Sequence, residues 1–378
     1  MRKINKLFSL LAVVAVMGLA SPLLAKEKAT PVPTPAPTPE APVVKLGGFL
    51  DTYYTYNFTN GAHVVSGAGN KGTFFNNVDD SYSLGLAEVD IMVTQGKVNG
   101  HFVLAYGQEN NLVLTGVPGV NVKHACLTYS PDQWNFTLGR FVTWMGNEVI
   151  ESKSNWNYSR SLMFWFTIPL WHDGMSVNFA PDSNFGITGY VTNGWNTAFA
   201  LTTGKTYGLQ ILGKPDPALT VIVNGIVGPD ITGASSKSRY VGEAIVTWAA
   251  TDKFSLALDA EYGGQDAATN MTFWGVALYG RYQIESDWAA ALRLEVLDDS
   301  QNLMTLYGAA PVGPATDVEG RELTLTLEHN FAPNMLARLE GRYDYALSGG
   351  TAYAAGTGPF AGGDKDQVTA TASMALSF

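Results

Sequence analysis

From residue 44 onward, apolar and polar residues alternate with a period of two in segments of about ten residues. In the segment 288–296, apolar residues alternate with positions that include Arg293 and Glu295. The segments 254–262, 335–345 and 367–378 show the same alternation. Because successive side chains of a β-strand point to opposite faces, this period predicts strands with one apolar and one polar face.

Two kinds of connection alternate between the predicted strands. Seven are short and most carry Pro, Asp or Asn, the residues of tight turns; they lie at 95–97, 131–132, 181–182, 215–217, 251–252, 286–287 and 333–334. Eight are longer and rich in Gly and Asn; they lie near 59–80, 108–119, 143–169, 193–204, 228–239, 263–271, 299–319 and 346–363. Fifteen connections join sixteen strands, each expected to span about 9 to 11 residues.

Short turns at one end, long loops at the other and an even strand number are typical of bacterial outer-membrane barrels. We therefore predict an all-β fold: a transmembrane antiparallel β-barrel of sixteen strands over 44–378, with short periplasmic turns and long extracellular loops. Aromatic residues near strand ends would form girdles at the two membrane interfaces: Tyr54, Tyr56, Trp134, Trp248, Tyr262, Tyr282, Trp288 and Tyr345. The alternative, a soluble sandwich or propeller, would require a very large core or a blade repeat, and we find no such repeat.

Composition agrees with this interpretation. Charged residues make up 15% of the chain, against roughly 25% in ordinary soluble proteins, and mean hydropathy is +0.03. Beyond residue 25 no uncharged apolar stretch approaches the ~18 residues of a spanning helix, which excludes a helical membrane protein. Aromatic residues at 12% exclude a disordered chain.

Residues 1–25 have the plan of a secretory signal peptide, with three basic residues, an apolar run over 7–19 and small residues at Ala20 and Ala25. The alternative is an uncleaved anchor, against which Pro22 argues. Export through the periplasm to the bacterial outer membrane is therefore expected. Removing those three basic residues from 23 Lys+Arg leaves 20 against 33 Asp+Glu, a net charge of −13. Such a charge disfavours binding to nucleic acid.

Residues 26–43 contain prolines at 31, 33, 35, 37, 39 and 42 and predict an extended periplasmic linker. A solvated spacer and a segment that binds a partner both fit this composition. The aromatic Phe378 at the end of the last predicted strand resembles the signal that the barrel assembly machinery reads in outer-membrane barrels.

Several stretches resemble the OmpL-like bacterial outer-membrane β-barrel porin family; they are GGFLDTYY at 47–54, LGRF at 138–141, GNEVIES at 146–152, NWNYSRS at 155–161, IP at 168–169 and TGYVTNGWN at 188–196. The resemblance covers about 45–378 and implies an outer-membrane barrel that conducts small solutes, without indicating which. The stretch VTWM at 142–145 is bulkier than the family pattern.

Barrels of about 16 to 18 strands enclose an aqueous lumen, which predicts a pore for small hydrophilic solutes or ions. We expect the longest connection, 143–169, to fold inward and narrow the pore, because acids facing bases across a constriction filter by size and charge. The constriction candidates are Arg140, Glu148, Glu151, Lys153 and Arg160. The alternative is an exterior loop whose Trp144, Trp156 and Trp165 pack on the rim. The net charge predicts a mild cation preference.

Catalysis is not expected, because none of the five histidines lies in a nucleophile or metal motif. We accordingly predict no catalytic residue, no metal site and no cofactor. The second candidate function is an anchor or adhesin that uses the linker and the external loops. The expected partners are outer-membrane lipid, the barrel assembly machinery and small solutes or ions, and homo-oligomerisation stays open. Cys126 is the only cysteine, so an intrachain disulfide cannot form.

Overall fold

The computed structural model describes residues 40–59, 73, 75–110, 119–200, 204–229, 238–266, 271–299, 318–348 and 366–378. The predicted signal peptide and most of the predicted linker lie outside these residues. The strands are β1 (Val43–Asn57), β2 (Ser81–Gln95), β3 (Val98–Tyr106), β4 (Asn121–Tyr129), β5 (Trp134–Val142), β6 (Trp171–Phe179), β7 (Phe185–Thr192), β8 (Thr206–Asp216), β9 (Leu219–Pro229), β10 (Ser238–Ala249), β11 (Phe254–Gln265), β12 (Met271–Gln283), β13 (Trp288–Asp298), β14 (Val318–Ala332), β15 (Met335–Ser348) and β16 (Asp366–Ser377). Two short helices, α1 (Gln108–Asn110) and α2 (Leu162–Phe166), and a 3₁₀ turn (Ser152–Ser154) complete the described elements.

The sixteen strands form one closed antiparallel barrel in which each strand pairs with its neighbours in sequence and β1 pairs with β16. At the seam, the Gly48 amide donates to the Phe378 carbonyl at 2.9 Å. Closure satisfies the backbone groups of both terminal strands, so neither is left as an edge. The predicted fold and strand number are confirmed; the assembly role of Phe378 stays a prediction.

Side-chain exposure alternates along the strands as the sequence predicts. On β13, Leu292 and Leu294 are about 40% exposed, whereas Arg293 and Glu295 are almost fully buried. Apolar side chains therefore point outward and polar ones point into the barrel, the reverse of a soluble protein. No helix among the described residues is long and apolar enough to span a membrane.

The seven short connections lie where the turn residues predict them, for example between β2 and β3 and between β14 and β15. Several strands are longer than the expected nine to eleven residues: β1, β2 and β14 each have 15. Alternation and backbone pairing thus continue beyond the about 9 to 11 residues that a tilted strand needs to cross a bilayer. A period of two consequently locates a strand but not the boundary of the bilayer.

Candidate pore interior

The connection between β5 and β6, residues 143–170, is called here the inner segment. Near its start, the Trp144 carbonyl accepts hydrogen bonds from the amides of Gln210 on β8 and Asn224 on β9, both at 3.1 Å. Further along, the Ser152 hydroxyl donates to the carboxylate of Asp51 on β1. Because β9 and β1 lie eight places apart in a ring of sixteen strands, these contacts join opposite sides of the barrel wall.

Aromatic packing fixes the start of the inner segment. The Trp144 ring stacks on Tyr190, with centroids 3.8 Å apart and planes within 8°, and on His172 at 4.7 Å. A Cβ atom at Gly208 would lie 2.0 Å from this indole, so only glycine leaves room for it. The bulky stretch 142–145 thus supplies the side chain that packs against the wall.

Helix α2 is held at its N-terminal end by side-chain acceptors. The Ser161 hydroxyl caps the helix by accepting from the Phe164 amide, and Glu295 of β13 accepts from the amides of Leu162 and Met163, both at 2.7 Å. A carboxylate at this end satisfies amides that have no partner within the helix. The side chains of α2 then join a buried apolar cluster inside the barrel, which includes Phe75 and Phe273.

Arg293 on β13 binds both the barrel wall and the inner segment. Its guanidinium contacts the carboxylates of Glu148 at 2.6 Å and Glu322 at 2.7 Å, and donates to the Ser159 carbonyl at 2.6 Å. The side chain is fully buried. Charge-assisted hydrogen bonds are stronger than neutral ones, so this arginine fixes two points of the segment to β13.

Three neighbouring inward positions of β15 also hold the inner segment. Arg338 donates to the carbonyls of Ser152 and Asn155 at 2.7 and 2.6 Å. Glu340 accepts from two backbone amides of the segment, and Arg342 donates to one of its carbonyls at 2.6 Å. The backbone of the inner segment is irregular, so its buried amides and carbonyls need hydrogen-bond partners from outside the segment. The two arginines supply donors for its carbonyls, and the glutamate between them supplies acceptors for its amides.

Three carboxylates on β10 and β11 face the other side of the segment: Glu243, Asp259 and Glu261. Glu243 and Asp259 accept from the amides of Gly146 and Asn147 at 2.8 and 3.2 Å. Oxygen atoms of the three side chains lie within 4.8 Å of one another. No ion pair formed within the described ranges includes any of them. This part of the interior is therefore acidic and lacks a direct basic partner.

The structure brings each sequence-predicted residue to a separate partner and does not bring the five together. Arg140 forms a bidentate pair with Asp173 at 2.7 and 2.8 Å, and Glu148 binds Arg293. The remaining contacts are Glu151 with Lys123, Lys153 with the Ser377 hydroxyl, and Arg160 with Glu109 and with carbonyls of the inner segment. Their role in a constriction stays a prediction.

Burial affects the ionisation of the acids in these connections. Burial raises the pKa of the Glu109 carboxyl well above its ordinary value, and the nearby Arg160 guanidinium opposes that rise only in part. Burial also acts to raise the pKa of Glu151, but the adjacent Lys123 ammonium holds that pKa below its usual value. Glu151 consequently stays ionised and paired with Lys123, whereas the charge of Glu109 is disfavoured.

Sequence reasoning placed Arg293, Glu295, Arg338, Glu340 and Arg342 on polar strand faces but assigned them no role. The sequence feature that could have indicated a role is the number of charged residues on these two strand faces. Strands that span a bilayer rarely place several charges on one face without partners. Lys123 gave no comparable signal, because its position depends on a β-bulge opposite Val103 and Leu104.

The wall formed by β4 to β7 is polar and largely uncharged toward the short turns. Its inward side chains bond to one another: Thr128 to Thr137 at 2.9 Å, Asn135 to Asn178 at 3.0 Å, and Asn178 to Thr188 at 2.8 Å. Most of these side chains are only half-buried, in contrast to the fully buried charges of β13 and β15. This face thus retains contact with solvent.

A closed sixteen-stranded barrel that is apolar outside and polar inside belongs to the class of outer-membrane porins. The family model described as "Putative beta-barrel porin-2, OmpL-like" (BBP2) matches residues 43–378, and the chain belongs to this family. The resemblance drawn from the sequence is confirmed. The family and fold are those of channel proteins of the bacterial outer membrane rather than of enzymes.

Solved porin structures share the fold at low sequence identity. The anion-selective porin from Comamonas acidovorans matches with a TM-score of 0.62 and 13% identity, over 89% of this chain and 100% of that chain. The trimer form of OmpT from Vibrio cholerae gives 0.58 and 13%, over 90% and 100%. The channel DcaP of Acinetobacter baumannii gives 0.58 and 12%, over 89% and 97%. A comparison with curated proteins finds no match.

Proposed function

We propose that this porin is a passive diffusion channel for small hydrophilic solutes or ions, narrowed by the inner segment 143–170. The observation that carries the proposal is the set of contacts from this segment to inward side chains on opposite sides of the barrel, from β8 and β9 to β1. A segment held in this way reduces the cross-section open to water. Membership of a porin family supports the channel itself.

Toward the short turns the open route runs along β4 to β7, where inward side chains stay half-buried; nearer the other end Trp144 covers part of β6 and β7. Hydroxyl and amide groups line this wall and can exchange hydrogen bonds with passing water or solute. The route lies opposite the wall of β13 and β15, whose charges are taken up by the inner segment. Such a lining favours small polar solutes, and we expect uncharged solutes to pass as well as ions.

Cation preference is the second part of the proposal. It rests on the overall charge, because the chain without residues 1–25 carries a net charge of −13. In a salt gradient across a planar bilayer, the reversal potential of the purified protein is expected to indicate a cation permeability modestly above that of the anion. An anion-selective reversal potential would contradict this part of the proposal.

Replacing Glu148 by glutamine is expected to raise single-channel conductance. The change removes the carboxylate that pairs with Arg293 and so weakens the attachment of the inner segment to β13.

Glu151→Gln is expected to lower cation preference instead, because it leaves the Lys123 ammonium with one fewer carboxylate. Conductance and reversal potential in planar bilayers measure the two effects.

The matched control is Glu285→Gln, at an exposed position in a short turn. This variant has the same change in charge and is expected to behave as wild type. If Glu148→Gln and Glu151→Gln also leave both quantities unchanged, the inner segment does not limit permeation.

Homo-oligomer formation completes the proposal for this porin. Support comes from OmpT of Vibrio cholerae, which has the same fold and is described in a trimer form. Light scattering of the purified protein in mild detergent, corrected for bound detergent, is expected to give a mass that is a multiple of the monomer. A monomeric mass would remove this part of the proposal and leave the channel unaffected.

A further inference from the structure

Two histidines and the only cysteine converge on one patch of the inner wall. His101 on β3 is the direct cross-strand partner of Cys126 on β4, and His124 lies two residues before Cys126 on the same strand. One ligand atom from each side chain lies within 4.8 Å of those of the other two. The two imidazole rings are stacked with centroids 4.7 Å apart.

The β-bulge in β4 directs these side chains inward. Val103 pairs with His124 and Leu104 with Val122, so Lys123 is the extra residue of the bulge. Beyond it, Leu127 and Tyr129 are 65% and 50% exposed on the outer surface, which places His124 and Cys126 on the inner face. All three cluster residues are half-buried, so a solute in the lumen can reach them.

A carboxylate orients one of the imidazoles. The Asp90 Oδ1 atom lies 3.0 Å from His101 Nε2, which leaves Nδ1 of that ring available as a ligand. Metal-binding histidines commonly bond to a carboxylate through the nitrogen that does not bind the metal, and this contact fixes the ring and raises its basicity. The buried Nδ1 atom of His124 has no hydrogen-bond partner among the described residues.

We propose that His101, His124 and Cys126 form a binding site for a transition-metal ion, and that Zn²⁺ is the ion expected there. Two imidazole nitrogens and a thiolate suit Zn²⁺ and disfavour Ca²⁺ and Mg²⁺, which prefer oxygen ligands. The three side chains leave a fourth tetrahedral position for water or a passing anion. Binding deprotonates the Cys126 thiol, and the proton passes to solvent as the metal–sulfur bond forms.

The surrounding charges permit a bound cation. The Lys123 ammonium, next to His124 in the chain, is paired with the Glu88 carboxylate at 2.6 Å and with Glu151. Asp90 adds a further negative charge at the site itself. No competing intrachain disulfide can form, because the chain has a single cysteine. The proposal is independent of the channel function, since it requires only the folded barrel.

The test uses Co²⁺ as a spectroscopic probe for Zn²⁺. We expect the reduced, folded barrel in detergent to bind one Co²⁺ with a thiolate-to-metal charge-transfer absorption, and Zn²⁺ to displace it. Cys126→Ser, which is nearly isosteric, is expected to abolish this absorption. His124→Ala is expected to weaken binding strongly, and Asp90→Asn to weaken it by about 10- to 100-fold. His329→Ala is the matched control, because this histidine stacks on Trp288 away from the cluster.

A second measurement keeps the proposal falsifiable if a variant folds poorly. Zn²⁺ is expected to protect Cys126 of the wild-type barrel from a thiol-reactive maleimide, and EDTA to restore its reactivity. Absence of both the absorption and the protection in the wild-type barrel overturns the proposal. Undiminished Co²⁺ affinity in folded His124→Ala and His101→Ala also overturns it, because a lone thiol would then be the ligand.

Discussion

Arg293→Met is expected to detach the inner segment from β13 and to raise single-channel conductance. The change removes the fully buried guanidinium that contacts Glu148, Glu322 and the Ser159 carbonyl, while leaving both carboxylates behind. Breaking a buried ion pair by removing one partner typically costs about 3–5 kcal/mol, because the remaining charge is buried and unpaired. The inserted position of the segment should weaken by more than a hundredfold.

Release of the segment relieves part of this cost, since Glu148 and Glu322 then regain water. Conductance in planar bilayers reports the wider lumen, and urea unfolding reports the lost stability. Arg281→Met is the matched control: Arg281 also faces inward, but its ion pair is with Glu328 and its side chain keeps 26% exposure. Equal conductance in wild type and Arg293→Met, with Arg293→Met clearly less stable, would show that the segment does not restrict the pore.

Gly208→Val is expected to displace Trp144 and so to move the start of the inner segment. A Cβ atom at position 208 would lie 2.0 Å from the indole, which is itself stacked on Tyr190 and His172 and has little room to shift. Overpacking of this kind costs about 1–3 kcal/mol. Valine otherwise favours β-strands, so any loss of thermal stability comes from the clash rather than from the backbone.

The matched control is Gly186→Val on the adjacent strand β7. A Cβ atom there would meet only the Asn178 amide, at an ordinary 3.8 Å. We expect this variant to keep wild-type stability and conductance, whereas Gly208→Val loses stability and conducts more. If the two variants behave alike, Trp144 does not secure the segment.

The barrel was predictable because each strand carries its own signal. In β13, the alternation of leucine with Arg293 and Glu295 indicates both a strand and the face that points inward. The residues of the short turns then separate one strand from the next. Information of this kind is local, since it needs neither the partner strand nor the inner segment.

The contacts inside the barrel were not predictable in the same way. Glu148 binds a residue 145 positions away, and Glu151 binds Lys123 only because a bulge turns that lysine inward. Both acids were selected from the sequence because they lie in the longest connection. Their partners depend on which distant strands the closed barrel places next to the segment. The alternation of apolar and polar residues does not predict this placement.

The histidine and cysteine cluster illustrates the same limit. His124 and Cys126 share a strand face, which the alternation already implies. His101 joins them only through the register of β3 on β4, in which position 101 lies opposite position 126. A motif search along the chain finds no regular spacing here, because the ligands are neighbours across a hairpin.

Closure of the ring has a consequence for the order of folding. The Thr52 hydroxyl donates to the Met374 carbonyl, 322 positions along the chain. The edge of β1 that pairs with β16 is therefore left without a partner until nearly the whole chain has been added to the barrel. Loops this long are slow to close. The inner segment contacts β1, β13 and β15, so its full set of contacts is complete only when strands from both ends of the chain are in place. We therefore expect these contacts to stabilise the closed ring, and their loss to lower the stability of the barrel as well as to widen the lumen.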